Sequence, residues 1–246
     1  MSVAFHAEPV EDHLSFYTRW NAFSGRYFEW QFSQFKTYLG RRVADLGCGV
    51  GNLTPFMLDR DLYLGIDSDP KMVSFMKSKY PSSRYPNIEI FQSNILSCDC
   101  SNLIKDNKID TILSINVLEH IENDNAALQL MLESLPKGGS LCLLVPAFSQ
   151  LYGTLDALDN HYRRYDKAML LSKLAKFDLK IIKLRYFNLI GAIGWFIKGK
   201  VFNQIKHTND NFIVMNSLSS IMKNIEDSID IPFGLSLIVV ASLLNH

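Results

Sequence analysis

The chain has 246 residues, 48% hydrophobic and 20% charged, which suits one sizeable α/β core and excludes a disordered chain. Lysine plus arginine total 25 and aspartate plus glutamate total 25, so no broad positive field is available to hold DNA or RNA, and nucleic acid is not expected as a partner. The opening MSVAFHAEPVEDH lacks the basic and apolar segments of a secretory signal, and the longest apolar runs, residues 189–197 and 235–244, fall short of the ~20 residues of a spanning helix. A cytoplasmic location without stable membrane insertion is expected, with Cys48, Cys98, Cys100 and Cys142 as reduced thiols.

Residues 1–40 are rich in aromatics at spacings of three and four, among them Phe16, Tyr17, Trp20, Tyr27, Phe28, Trp30 and Phe35, and predict a helical cap. From Arg42 onward, apolar runs alternate with helical patterns, as in βαβ units. RVADLG reads as a first strand, followed by glycines and a helix over about residues 52–59. LYLGID is a second strand, and PKMVSFMKSKY is its helix, with Pro70 in the first turn. IEIFQ and IDTILSIN are the next strands; a helix over about residues 124–135 follows and stops at PKGG. SLCLLVP, LKIIKLRYF and LSLIVVASLL complete the set. The expectation is a Rossmann-like α/β fold in a single domain, with a seven-stranded, mostly parallel sheet and an antiparallel last strand. The cap is residues 1–40, the cofactor-binding core 41–186, a helical insert 187–233 and the last strand 234–246.

The decisive stretch is RRVADLGCGVGNLT, residues 41–54. Gly47, Gly49 and Gly51 make a tight strand-to-helix turn where backbone can approach a ligand. Asp45, two residues before the first glycine, would repel a pyrophosphate but attract an ammonium or sulfonium group. The ligand that fits is S-adenosylmethionine. Asp67 and Ser68 end the second strand, where a carboxylate can take ribose hydroxyls. Asn94 and Ile95 follow the third strand, beside the adenine, and Asn116 follows the fourth, beside the methionine end.

VADLGCGVGNLT, GIDSD and INVLEHIEND resemble the consecutive motifs of class I S-adenosylmethionine-dependent methyltransferases. LYGTLDALDNHYRRYD, RYFNLIGAIGWFIKGKVFN and IPFGLSLIVVA are similar to a bacterial subgroup that reads Gly-His-x-Arg-Arg-Tyr in its middle and Pro-Phe-Gly-Leu-Ser-Leu near its end. Asp45 stands where a glutamate is common there, and Asn160 where glycine is preferred. The resemblance implies fold and cofactor and leaves the acceptor open.

Methyl transfer needs orientation, a dry pocket and a base where the acceptor must lose a proton. His6, His13, His207 and His246 read as surface residues, which leaves His161 and His120 as catalytic candidates. His161 is the expected general base. Arg163 and Arg164 either anchor an anionic acceptor or pair with Asp156, Asp159 or Asp166 to fix the loop; Tyr27, Tyr152 and Tyr165 are further acceptor-binding candidates. Some ubiquinone-type O-methyltransferases, which resemble the LEH stretch, hold a metal with Glu-x-x-Glu-His. Here Asn116 occupies the first position, so Glu119 and His120 would need help from elsewhere, such as His161, and no metal is expected. The apolar YFNLIGAIGWFIKGK is core, a lid or a shallow membrane contact. The expected activity is O-methylation of a small anionic or hydrophobic molecule, in secondary metabolism or envelope-glycan assembly, by a monomer or homodimer. N-methylation of an amine or peptide, or cofactor binding without catalysis, are the alternatives.

Overall fold

The structure is a computed structural model that describes residues 12–197 and 209–244. His6, His207, His246 and the lysine-bearing end of YFNLIGAIGWFIKGK lie outside the described residues. Seven strands form one sheet in the order β3-β2-β1-β4-β5-β7-β6. They are β1 (Arg42–Leu46), β2 (Leu62–Asp67), β3 (Ile88–Gln92), β4 (Thr111–Ile115), β5 (Ser140–Pro146), β6 (Leu179–Phe187) and β7 (Ser236–Leu243). The first five pair in parallel, and β7 inserts antiparallel between β5 and β6. The central strands are buried on both faces, which is why they read as unbroken apolar runs.

Each sheet face carries its own core. One holds Leu46, Leu64, Ile112, Leu128 and Tyr165. On that side lie α4 (Cys98–Asp106), α5 (Asp124–Ser134) and α7 (Lys167–Leu174). The other face holds Trp30, Phe35, Tyr63, Met76 and Phe187 beneath α2 (Gly25–Ser33) and α3 (Pro70–Lys79). The chain ahead of α2 forms α1 (His13–Phe23). A five-residue α6 (Thr154–Leu158) follows β5.

The helix expected over residues 52–59 is only a 3-10 turn, Thr54–Phe56. Pro55 removes a backbone donor there, and the Thr54 hydroxyl is drawn inward to bond Tyr63. Helices α4, α6 and α7 were not anticipated. The insert is helical as expected, with α8 (Leu189–Phe196) and α9 (Asn209–Ser228). Gly191 and Ala192 of α8 are buried, whereas Ile193 and Phe196 are exposed, so the apolar segment is core on one face only. No helix among the described residues is long and apolar enough to cross a membrane.

The two subgroup-like motifs around β6 and β7 meet in space. Asn188 adopts a left-handed φ of 67°, caps α8 by accepting from Gly191 N–H at 2.8 Å, and its carbonyl accepts from Leu235 N–H at 2.9 Å. Glu226 of α9 accepts the N–H groups of Asn188 and Leu189 at 3.0 and 2.8 Å. A Cβ on Gly234 would lie 2.4 Å from the Phe187 carbonyl oxygen, so only glycine lets these segments pass. In turn α9 packs on the N-terminal helices: Trp20 stacks with Phe212, and Asn216 accepts from Arg26 N–H.

Candidate active site

The carboxyl ends of β1, β2, β3 and β4 surround a cavity of about 310 Å³. Its walls are Gly47 after β1; Ile66, Asp67 and Ser68 after β2; residues 93–96 after β3; and Val117, His120, Ile121 and Glu122 after β4. This is the edge where open α/β sheets bind ligands. A second, more open cavity of about 480 Å³ lies between Leu14 of α1 and Pro70, Lys71 and Phe75 of α3. It carries no acid and none of the strand-end residues.

All three loop glycines have positive φ: 77° at Gly47, 53° at Gly49 and 74° at Gly51. Side chains on Gly47 and Gly51 would strike Val117 and Met76, whereas a Cβ on Gly49 would meet open space. Gly49 N–H donates to Asp67 Oδ2 at 2.8 Å, and Asp69 N–H to Oδ1 at 2.9 Å. Each carboxylate oxygen keeps a further lone pair, which suits two hydroxyl donors. Burial raises the Asp67 pKa despite these backbone bonds. Asn94 Oδ1 accepts from Leu96 N–H at 2.8 Å, which shapes the cavity floor. Asn116 is left-handed, with φ 52°, and turns the chain out of β4.

Asp45 is not on the cavity wall. It lies beneath the loop, 5% exposed, and accepts from the Tyr63 hydroxyl at 2.8 Å, which itself accepts from Thr54. Burial, with a smaller push from Asp67, raises its pKa to about 7. Tyr63 and Thr54 were not anticipated, because Tyr63 reads as one more apolar strand residue.

Beyond His120 lies a buried polar cluster. A 3-10 turn, Leu118–His120, directs Glu119 inward, fully buried, with neither carboxylate oxygen hydrogen-bonded among the described residues. Burial pushes Glu119 up to about 7. His161 Nδ1 sits 2.9 Å from Asp156 Oδ1, and its Nε2 3.9 Å from Glu119 Oε1. Burial opposes its imidazolium, but Asp156 and Glu119 outweigh that, and the His161 pKa is raised. The His120 ring lies edge-on to His161, with centroids 4.8 Å apart, and is bonded to the Asn160 backbone. Burial and the facing His161 push His120 down to about 4. Asn160 holds a φ of 58°, a region that asparagine tolerates best after glycine.

The five side chains expected to bind the acceptor have these partners within the chain. Arg164 is 2% exposed: Nε donates to Asp156 at 2.7 Å, one terminal nitrogen donates to the Ala147 carbonyl, and the guanidinium lies 4.7 Å from the Trp195 ring centroid. Arg163 pairs with Asp124 at 2.9 Å and donates to the Glu122 carbonyl. Tyr165 is wholly buried, its hydroxyl donating to Asp124 at 2.9 Å. Tyr152 donates to the His161 carbonyl, and Tyr27 is packed among Phe28, Trp30 and Phe187. These five side chains hold the loop and the core, not the cavity. The arginine partners are Asp156 and Asp124; Asp166 instead accepts from the Ser149 hydroxyl at 2.6 Å.

Asp156 is the hub that sequence reasoning gave no special place. It accepts from Gly153 N–H, His161, Arg164 and Trp195 Nε1 of α8, and these bonds outweigh burial to lower its pKa. Tyr17, one of the aromatics of the expected helical cap, is also within reach of these charges. Burial and the negative charges of Asp159, Glu119 and Asp67 push its hydroxyl up to about 12, and α1 touches the glycine loop where Asn21 donates to Asn52 at 2.7 Å. His13, read as a surface residue, is exposed but contributes to the field at His120.

Residues 39–173, more than half of the chain, match the methyltransferase domain family. The chain belongs to that family. A putative methyltransferase, 235L, of Invertebrate iridescent virus 6 is 26% identical over 147 residues, covering 55% of this chain and 52% of that protein. Trans-aconitate 2-methyltransferase of Rhizobium rhizogenes (strain K84) is 24% identical over 108 residues, covering 43% and 38%. The chain thus spans about half or less of the length of these curated relatives. In fold it is similar to a SAM-dependent methyltransferase from Archaeoglobus fulgidus, with a TM-score of 0.61 and 17% identity over 92% of this chain and 99% of that one. One from Mesorhizobium loti gives 0.60 and 13% over 87% and 97%. The family and these neighbours imply S-adenosylmethionine as the methyltransferase cofactor.

Proposed function

We propose that the chain moves a methyl group from S-adenosylmethionine to a hydroxyl oxygen of a small molecule, in secondary metabolism or envelope-glycan assembly. The observation that carries the oxygen assignment is the Glu119–His120–His161 cluster, which meets the cavity through His120 and could take up an acceptor's proton. One curated relative is named for a small organic acid, trans-aconitate, in keeping with a small acceptor. The test is a mass screen for one added methylene over hydroxyl- and amine-bearing candidates; products formed only from amines would overturn the oxygen assignment.

The cofactor supplies a methyl already made electrophilic by its sulfonium. Asp67 would hold the ribose hydroxyls, Asn94 and Ile95 the adenine, Gly47 and Gly49 the approach of the backbone, and Ser68 and Asn116 the two ends of the cleft. Asp67→Ala should weaken S-adenosylhomocysteine binding by about 1–3 kcal/mol, read by calorimetry. Binding of NAD(H) with none of S-adenosylhomocysteine would refute this reading of the loop.

Asp45 gives a pH signature. Its folded pKa is about 7 against an ordinary 3.8, so an ionised Asp45 destabilises the ligand-free fold. That penalty is absent below pH 4, grows as pH rises and is complete above about 7. The groups facing it are Tyr63, Asp67 and Cys48, none of them a cation. A ligand ammonium above the loop would favour the ionised form, so S-adenosylhomocysteine affinity should rise between about pH 6 and 8. Asp45→Asn should flatten both profiles; titrations and melting curves that superimpose on the native ones would remove this role.

A further inference from the structure

Glu119, His120 and His161 each offer one ligand atom, and these atoms lie within 4.8 Å of one another. Three features of the trio go beyond a buried polar cluster. First, Glu119 is fully buried with neither oxygen hydrogen-bonded among the described residues, a state that costs free energy in the ionised form unless something is bound there. Second, each imidazole has one nitrogen occupied, His161 Nδ1 by Asp156 and the His120 ring by the Asn160 backbone, which leaves one free lone pair per ring. A ligating histidine has this arrangement: the outer nitrogen is held by a carboxylate or carbonyl and the inner one is presented. Third, the Arg164 guanidinium bonds Asp156 and Ala147 and reaches Glu119 only through its field, as does His161 at 3.9 Å, so no hydrogen-bonded cation neutralises Glu119.

We propose that Glu119, His120 and His161 bind a divalent first-row cation of the zinc or manganese class. Two imidazoles and one carboxylate form a borderline donor set that favours such ions over magnesium or calcium. Around a tetrahedral ion with bonds of ~2.1 Å, ligand atoms stand ~3.4 Å apart. The 3.9 Å from His161 Nε2 to Glu119 Oε1 would have to shrink by about 0.5 Å to reach that, and a spacing at the trio's 4.8 Å limit by about 1.4 Å, a small rotation of the side chains. The expectation of no metal rested on Asn116, which leaves the local motif one ligand short; the fold instead supplies the third from the loop after β5. His120 also lines the cavity, so a cation held by the trio would lie beside the methyl-donor site. An acceptor hydroxyl bound to that cation would ionise closer to neutral pH, its proton leaving to water. The cation site goes beyond the proposed oxygen methylation and stands or falls separately from it.

The test uses the full chain stripped of metal and titrated with zinc chloride or manganese chloride alone by calorimetry, and with cobalt(II) followed by its visible absorption. One equivalent should bind, with a cobalt spectrum of nitrogen and oxygen ligation. Glu119→Gln and His161→Asn, each checked by a melting curve, should weaken binding by about 100-fold or more, beyond the 10–100-fold of an outer-shell change. No binding by the native protein, or binding unchanged in the folded double variant, overturns the site. Product formed from a hydroxyl acceptor by stripped protein would also remove the cation from catalysis while leaving oxygen methylation standing. A bound cation with methyl transfer only to amines would do the reverse.

Discussion

Asp156→Ala is expected to destabilise the protein by about 3–5 kcal/mol, the range for leaving one partner of a buried ion pair uncompensated. The carboxylate is wholly buried and binds four donors from three parts of the chain: Gly153 at the start of α6, His161 and Arg164 in the loop after it, and Trp195 in α8. Alanine would leave the Arg164 guanidinium 2% exposed, with the Ala147 carbonyl as its remaining acceptor. Asp156→Asn should be milder, since the amide oxygen can still accept. Chemical denaturation followed by circular dichroism measures both. A loss below about 1 kcal/mol for the alanine variant would show that the hub contributes little.

His161→Ala should lower turnover by about 10²–10⁴, the range for losing a positioned proton acceptor. S-adenosylhomocysteine affinity should be almost unchanged, because His161 is absent from the cavity wall that carries Asp67 and Asn94. The fold should survive better than in Asp156→Ala, since Arg164 and Trp195 keep their acceptor. The same loss is expected if the ring holds the cation, because removal of the acceptor's proton fails either way. Full turnover in the variant, with an acceptor in hand, would place proton removal elsewhere and favour an amine acceptor.

The strands and their order of appearance were legible because buried parallel strands read as apolar runs bounded by glycine and proline. The glycine loop was legible because Gly47, Gly49 and Gly51 each need a positive φ. Helices α4, α6 and α7 were not legible: they are short, and the first begins within CDCSN, whose residue types favour caps and turns. The polar network was half legible. The composition of NHYRRY announced that its charges needed partners, but Asp156 and Asp124 are brought to Arg164 and Arg163 by the fold. Burial of Glu119 follows from the 3-10 turn, where a helical reading would have left its direction open. Tyr17 looked like one aromatic among many, and only the path of α1 over the sheet edge distinguishes it.

That path bears on how separate segments are coupled. Helix α1 touches the glycine loop, Trp20 joins it to α9, Glu226 joins α9 to the start of α8, and Trp195 joins α8 to Asp156 beside the reacting groups. These contacts link α1, α9 and α8 in series to Asp156. A displacement of α8 is therefore expected to be felt both at Asp156 and at α9. By the reciprocity of linked equilibria, a ligand that shifts Asp156 and one that shifts α9 should then alter each other's binding by the same factor.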